Sequence, residues 1–206
     1  MAFDYKKEFK EFYLPPKKPM IVDVPEMKFV SVRGHGDPND VDSGYKASIE
    51  MLYSVSYTIK MSKMGDRRIA GYFDYVVPPL ESLWWSANND LASKKDLEWI
   101  SMIRLPDFVD RDVFDWAVDE ASRKRKMELS KAEMIVLNEG RCIQCMHIGS
   151  YDDEARTIGL MEKYCQDNGL MNGISSERHH HEIYLSDPRR VSEEKLKTVI
   201  RIPVER

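Results

Sequence analysis

A short order of strands and a helix occurs twice along the chain. The letters VRGHG at 32–36 and MHIGS at 146–150 each end a strand-like run and begin a loop. The letters IRLP at 103–106 and IRIP at 200–203 each close a later strand-like run. This internal similarity constrains the fold strongly, because similar segments form similar supersecondary units. We expect two strand–helix–strand–strand units, and therefore an α+β protein.

The first copy spans about 27–106. Apolar side chains recur at steps of four and three over residues 45–59, which predicts a helix, and Asp42 is its expected N-cap. Alternation and bounding Pro and Gly residues predict the strands. The expected elements are a strand at 28–33, a loop at 34–38, the helix over 45–59, and strands at 70–77 and 97–105.

The second copy spans about 134–206 and repeats this order. Its helix, over 154–168, has Ile158, Met161 and Cys165 on the inward face and ends before Gly169. The expected strands are 134–137, 141–148, 179–185 and 196–202.

The remaining residues form flanking and connecting segments. Residues 1–25 are expected to be an amphipathic lead broken by prolines, and a linking helix is predicted over about 108–126. Residues 26–206 would then form one domain of two copies. Because each helix covers one sheet face only, the two copies should join face to face and leave a crevice suited to small molecules.

Composition narrows the classes of function. The 206 residues include 31 Lys and Arg against 35 Asp and Glu, a net charge of −4, which disfavours direct nucleic-acid binding. No apolar run is long enough to span a membrane. Met1–Lys10 lacks the apolar core of a signal peptide, so we expect a cytoplasmic protein.

The cysteines do not suggest a disulfide framework, because their number is odd and a reducing compartment is expected. Cys142 and Cys145 have C-x-x-C spacing but lie in a predicted strand, where positions three apart point to opposite faces. The sequence therefore predicts neither a redox pair nor a metal site there.

Aromatic side chains supply candidate walls for a ligand site. Trp84 and Trp85 follow a Pro-Pro break and, on an extended segment, should face opposite ways, so that one packs while the other contacts ligand. Phe73 and Tyr75 share a face of the preceding predicted strand. Packing in the core is the alternative role of all four rings.

The run HHHEIYL at 179–185 combines titratable and aromatic groups. Strand alternation places His181, Ile183 and Leu185 on one face, expected under the helix, and puts His180, Glu182 and Tyr184 on the other, towards the crevice. Glu182 could attract a cationic ligand when ionised, or act as a general base when desolvation raises its pKa. The alternative is a salt-bridged or rim-exposed carboxylate.

Three motifs together resemble the GyrI-like small-molecule-binding family, from about Met20 to the C-terminus. They are PLESLWW at 79–85, HIGSYDDE at 147–154 and HHEIYLSDPRR at 180–190, with Ser150 replacing a frequent Pro. The resemblance implies tandem, SHS2-like units with pseudo-twofold symmetry around a central ligand crevice. Family relatives include ligand domains of multidrug-responsive regulators, a gyrase-inhibitory protein, and stand-alone hydrolases of cyclopropane-bearing DNA alkylators.

The resemblance also implies site residues. The family's pocket carboxylate falls on Glu182, and its aromatic wall falls on Trp84 and Trp85. The hydrolase hypothesis needs a base to deprotonate water, for which Glu182 is the candidate, and a donor to stabilise the oxyanion. The candidate donors are Tyr184, Tyr75, His180 and His147.

Two functions stay open on the sequence alone. One is a detoxifying hydrolase of planar electrophiles, and the other is a non-catalytic protein that binds small aromatic or cationic drugs or a partner such as gyrase. Neither requires a metal or an organic cofactor, and we expect none.

Overall fold

The computed structural model describes residues 2–87 and 93–206. Met1 and residues 88–92, which belong to the predicted lead and to the first predicted copy, lie outside the described residues. The chain is a mixed α/β protein whose long strands pair antiparallel. None of the helices in the described ranges is long and apolar enough to cross a bilayer.

The elements follow one another in a fixed order along the chain. They are β1 (Phe3–Asp4), α1 (Tyr5–Glu8), α2 (Lys10–Tyr13), β2 (Met20–Val24), β3 (Met27–His35), α3 (Tyr45–Lys60), β4 (Tyr75–Val76), β5 (Leu80–Ser86), β6 (Leu97–Arg104), α4 (Arg111–Arg125), β7 (Glu133–Leu137), β8 (Gly140–Ile148), α5 (Glu154–Asp167), β9 (Met171–Asn172), β10 (His180–Tyr184) and β11 (Lys197–Glu205).

The chain divides into two compact units, which we describe separately. The first comprises Met1–Tyr5, Met27–Leu80 and Trp85–Leu137, and the second comprises Lys6–Glu26, Glu81–Trp84 and Asn138–Arg206. The internal duplication and its pseudo-twofold symmetry stay predictions.

In the first unit, β3 lies between β6 and β7. Helix α3 packs on β3, β6 and α4, and it buries Leu52, Val55 and Ile59 completely. The sequence therefore predicted this helix and its inward stripe correctly. The predicted linking helix is also present as α4, and the Asp110 side chain caps it by accepting a hydrogen bond from the Val113 N–H at 2.9 Å.

The predicted start of α3 was wrong. Gly44, not Asp42, occupies the N-cap, with a left-handed φ of 75° that a glycine adopts without strain. Asp42 lies in the preceding short turn, where its own N–H donates to the Asp40 side chain at 3.0 Å. Two capping candidates so close together are not distinguished by composition, because both Asp and Gly are common N-caps.

The predicted strand at 70–77 was also largely wrong, since only β4 (Tyr75–Val76) forms there. An aromatic cluster dominates this segment of the first unit instead. Its rings meet at centroid distances between 5.0 and 6.5 Å, mostly edge to face; the members are Phe3, Tyr5, Tyr72, Phe73, Tyr75 and Phe108. Residues 70–77 are therefore held mainly by packing of aromatic rings and not by pairing as a strand.

In the second unit the strands follow the order β2–β8–β11–β10, with the Glu81–Trp84 part of β5 next to β10. Helix α5 covers one face of this sheet. The core beneath it contains Ile143, Cys145, Met161, Ile200, Ile202 and Val204, flanked by Ile158 and Cys165. The predicted inward face of α5 is thus confirmed.

Strand β2 corrects the prediction for residues 1–25, which gave no strand in this segment. It pairs with β8 over five residues and buries Val22 and Val24. Prolines lie just outside both ends, at 19 and 25, where they cost no ladder hydrogen bond. A short strand whose partner lies more than a hundred residues away carries little local signal.

The opposite face of the second unit carries a buried group of charges. His181 Nδ1 lies 2.9 Å from Glu139 and its Nε2 lies 3.0 Å from Glu81, while Arg201 Nη1 lies 2.6 Å from Glu139. Arg201 also donates to the Phe12 carbonyl at 2.8 Å. We call His181, Arg201, Glu139 and Glu81 the charge quartet.

The quartet overturns the expectation that His181 lies under the helix. Strand register places His181 opposite Arg201 and Glu182 opposite Ile200, whose side chain lies in the core beneath α5. The helix therefore covers the Glu182 face. The two-residue period was predicted correctly, but alternation alone does not indicate which of two faces a helix covers.

The members of the charge quartet shift one another's pKa values. Burial alone would lower the pKa of His181, but the charges and hydrogen bonds of Glu139 and Glu81 outweigh it and raise that pKa to about 9. Burial alone would raise the pKa of Glu139, but His181 and Arg201 lower it to about 2. His181 is therefore a cation and Glu139 an anion at neutral pH.

We predict that Gly34→Ala destabilises the protein by about 1–3 kcal/mol, a typical cost of overpacking. A Cβ at Gly34 would lie 2.2 Å from the Trp99 ring, which is itself buried. The matched control is Gly159→Ala in α5, where a Cβ meets nothing within 4 Å. That change should stabilise by about 0.5–1 kcal/mol. Equilibrium unfolding in urea measures both, and equal midpoints for the two variants would contradict the packing argument.

We also predict two limbs in the pH dependence of stability. His181 contributes its full share to the free energy of unfolding below its unfolded pKa of 6.5. This contribution is lost as the pH rises through its folded pKa of about 9. The Glu139 contribution is complete above 4.5 and is lost as the pH falls through about 2. Unfolding should therefore require the highest urea concentration between those two unfolded pKa values.

Glu139→Gln should remove the Glu139 limb and cost about 3–5 kcal/mol, because it leaves buried cations short of an anion. The control Glu193→Gln changes an exposed carboxylate of the same unit and should leave the midpoint unchanged. A Glu139→Gln protein as stable as the control at pH 6 would refute the role given to the quartet.

Candidate functional site

Glu182 lies at the centre of a hydrogen-bonded group on the α5-covered face of the second unit. The Tyr184 hydroxyl donates to Glu182 Oε2 at 2.8 Å, and His180 Nε2 lies 3.2 Å from Glu182 Oε1. The Glu182 side chain keeps 13% of its surface exposed. Alternation along β10 produces this arrangement, since residues 180, 182 and 184 share one face. The predicted grouping of these three side chains is confirmed.

Trp84 extends this group from β5. Its indole Nε1–H donates to the Tyr184 hydroxyl at 3.0 Å, so the hydroxyl accepts one hydrogen bond and donates another to Glu182. Tyr151 packs edge to face on the Tyr184 ring at 5.8 Å and is 40% exposed. A carboxylate hydrogen-bonded to Tyr184, which itself contacts Trp84 and Tyr151, can orient a polar group on a flat ligand.

Glu154 is the functional side chain that the sequence analysis did not single out. It is the first residue of α5 and only 8% exposed, and it hydrogen-bonds to Glu182. Burial, and then the charge of Glu182 and that hydrogen bond, raise its pKa far above the usual range for a carboxyl. The helix dipole favours the ionised form at this position, but the other effects prevail. Glu154 therefore stays protonated at neutral pH.

A sequence signal for Glu154 existed in the motif HIGSYDDE, which ends on it. An acidic residue in the first turn of a helix is normally explained by the helix dipole, and such residues are usually solvated. Nothing local distinguishes a buried example, because its burial depends on the strand that lies beneath it.

Glu154, His180 and Glu182 also form a group with ligand-type atoms within 4.8 Å of one another. A protonated carboxyl is not a metal ligand, so a divalent cation would have to displace the Glu154 proton before binding all three. The hydrogen bonds from Tyr184 and His180 already occupy Glu182.

His147, a predicted ligand contact, is completely buried in the second unit. Its ring nitrogens lie 2.8 Å from the Thr157 hydroxyl on α5 and 2.9 Å from the Ser150 carbonyl oxygen. Both nitrogens are therefore engaged, and His147 joins β8 to the turn that precedes α5. These contacts favour a role in holding that turn.

The other predicted ligand contacts belong to the first unit. Tyr75 is 1% exposed and lies in the aromatic cluster with Phe73, which is 37% exposed. Trp85 lies under the Arg33 guanidinium, 5.6 Å from the ring centroid. Trp84 and Trp85 thus have different neighbours, as alternation predicted. Ligand contacts by Tyr75, Phe73 and Trp85 stay predictions.

Comparison with known proteins places this geometry in a family. Residues 17–205 match the GyrI-like small molecule binding domain. A crystal structure of a hydrolase from Listeria innocua is 42% identical, with a TM-score of 0.91 over 99% of this chain and 100% of that one. An uncharacterized conserved protein from Listeria innocua is 44% identical, with a TM-score of 0.94 over 99% and 100%. No curated protein matches the chain.

A distant similarity supports the fold alone. The C-terminal domain of EcmrR superposes with a TM-score of 0.59 at 15% identity, over 92% of this chain and 98% of that domain. The match to the family domain covers nearly the whole chain and includes the second unit with Glu182. The chain therefore belongs to the GyrI-like small-molecule-binding family.

Proposed function

We propose that this protein is a hydrolase that detoxifies planar, electrophilic small molecules such as cyclopropanoid DNA alkylators. The observation that carries the proposal is the Glu182 carboxylate, which is largely buried and is fixed by hydrogen bonds with Tyr184 and His180. The similarity to a Listeria innocua protein described as a hydrolase supports the reaction class.

Glu182 is suited to act as the general base. In a spirocyclopropane conjugated to a dienone, a water oxygen attacks the ring methylene and one ring C–C bond breaks. The released electron pair moves through the conjugated ring to the carbonyl oxygen, while Glu182 takes a proton from the water. The reaction consumes one water and needs no redox partner.

Aromatic side chains supply the binding contacts. Trp84 is only 6% exposed and supports Tyr184 from within, whereas Tyr151, which packs on Tyr184 and is 40% exposed, offers an accessible ring on which a planar substrate can stack. The Trp84–Tyr184–Glu182 hydrogen bonds also fix the direction of the Glu182 lone pairs. Tyr184 is thus a positioning group for the base, and it can act as a donor only if its bond to Glu182 is exchanged.

The first prediction from this function is turnover that depends on Glu182. Wild-type protein incubated with a synthetic spirocyclopropyl cyclohexadienone should release the ring-opened alcohol, detected by mass spectrometry. Glu182→Gln should lower the rate about 10²–10⁴-fold, because the amide cannot accept the water proton. Glu177→Gln, an exposed carboxylate of the same unit, is the matched control and should retain the rate.

Two results would contradict this function. Unchanged substrate, bound with quenching of Trp fluorescence, would favour the non-catalytic drug-binding or partner-binding alternative. If Glu182→Gln hydrolysed the dienone as fast as the wild type, the protein would still be a hydrolase, but Glu182 would have no catalytic role.

The second prediction separates stacking from orientation at Trp84. Trp84→Phe keeps a flat ring but removes the Nε1–H that binds Tyr184. We expect binding of the dienone, measured by equilibrium dialysis, to weaken by less than about tenfold, the upper range for one aromatic contact. The ring-opening rate should fall by more than the binding does. Trp116→Phe on α4 of the first unit is the control, and an equal effect of the two substitutions would contradict this role.

A further inference from the structure

We propose that the first unit holds a second ligand site, a groove between α3 and α4 that binds flat aromatic molecules carrying a carboxylate or a sulfonate. The groove has a volume of about 910 Å³, is formed by residues within 57–67 and 116–125, and is called the α3–α4 groove below. That volume lies in the range of sites for small molecules. All of its residues belong to the first unit, whereas Glu182 belongs to the second, so this inference is independent of the proposed hydrolysis.

Helical spacing explains how the two walls of the groove form. Trp116 and Glu120 are four residues apart on α4, so their side chains extend from one face of that helix. Tyr57 lies in the last turn of α3, and Met61 follows it at the same spacing. The chain continues as a single 3₁₀ turn over Met61–Met64. The α3–α4 groove therefore lies at the C-terminal end of α3, against the second half of α4.

Apolar side chains supply a wall for an aromatic ligand. Tyr57 is 45% exposed, Met61 is 48% exposed and Met64 is 75% exposed. Trp116 adds a half-buried ring from α4. Large apolar side chains grouped at one concave place commonly mark binding sites, and methionine adapts its shape to different flat ligands. The groove therefore suits the ring system of a planar molecule.

Arg67 supplies recognition of an anion. Its guanidinium carbon lies 5.0 Å from the centroid of the Trp116 ring. Stacking of this kind engages the face of the guanidinium and leaves the N–H donors at its edge available, and those donors match two oxygens of a carboxylate or sulfonate. Arg67 forms no ion pair with any described residue. The ring therefore holds in place a cation that has no anion of its own.

The other charges of the α3–α4 groove also favour an anionic ligand. Glu120 is already paired with Arg123 at 2.8 Å and with Lys124 at 2.9 Å. Arg125 adds an exposed cation, and Asp66 is the second acidic residue of the lining. Cationic side chains therefore outnumber acidic ones around the groove, which attracts an anion and repels a cation. The neutral dienone of the proposed function offers no such anion.

The test uses two fluorescent probes that share their rings and differ in charge. 8-Anilinonaphthalene-1-sulfonate carries a sulfonate, and N-phenyl-1-naphthylamine has the same rings without it. In fluorescence titrations, Arg67→Gln should weaken binding of the sulfonate about tenfold and leave binding of the neutral probe unchanged, because only the sulfonate receives charge-assisted hydrogen bonds. Arg68→Gln changes the neighbouring exposed cation outside the lining and should match the wild type with both probes.

Two further measurements examine the charge and the apolar wall. Added salt should weaken binding of the sulfonate to the wild-type protein and should not weaken binding of the neutral probe. Met64→Ser should weaken binding of both probes by about two- to fivefold, because it removes apolar surface from the wall. Met64 is 75% exposed, so this change leaves the core intact. Leu160→Ser, on α5 of the second unit, alters a side chain that is 51% exposed and is the control.

Three results would overturn the proposal. Equal binding of the sulfonate by Arg67→Gln and Arg68→Gln would show that Arg67 does not recognise the anion. Equal weakening of both probes by Arg67→Gln would show that this side chain only supports the wall. A dimer in sedimentation velocity that Met64→Ser dissociates would show that a second copy of the chain, and not a small molecule, occupies the groove.

Discussion

The ion pairs of His181 and Arg201 with Glu139 and Glu81 are the constraint on which the second unit depends. Four charges removed from water are tolerated only when each meets an opposite charge, and here two cations meet two carboxylates. Shifting β10 by one residue would move His181 to the opposite sheet face, away from Glu139 and Glu81. The quartet therefore fixes the register of the strand that carries Glu182.

Buried carboxyls on the two faces of β10 have opposite protonation states at neutral pH. Glu139 stays ionised because a protonated imidazole and a guanidinium surround it. Glu154 stays protonated because burial disfavours its charged form and the charge of Glu182 adds to that effect. Consecutive residues, His181 and Glu182, thus connect a permanently charged structural group to a group that contains a protonated carboxyl. The rigid side supports precise placement of the reactive one.

Much of this organisation was predictable from the sequence. Strands β3, β6, β8, β10 and β11, helices α3, α4 and α5, and the shared face of His180, Glu182 and Tyr184 follow from local periodicity, and three motifs identified the family, whereas β5 was not predicted as a strand. What failed depends on distant partners: β2 forms only against β8, and the face that α5 covers is fixed by charges at four separate positions. Glu154 was not predicted as a site residue for the same reason, because its burial depends on residues far from it in the sequence.

The protonation of Glu154 also bears on which ligands this site favours. Two ionised carboxyls would hold two negative charges in a largely buried place, a site for cations and little else. With Glu154 protonated, one of those negative charges is absent, and a neutral carboxyl lies beside Glu182. Such a site suits a neutral, polarised ligand that can hydrogen-bond to the carboxyl better than it suits a simple cation.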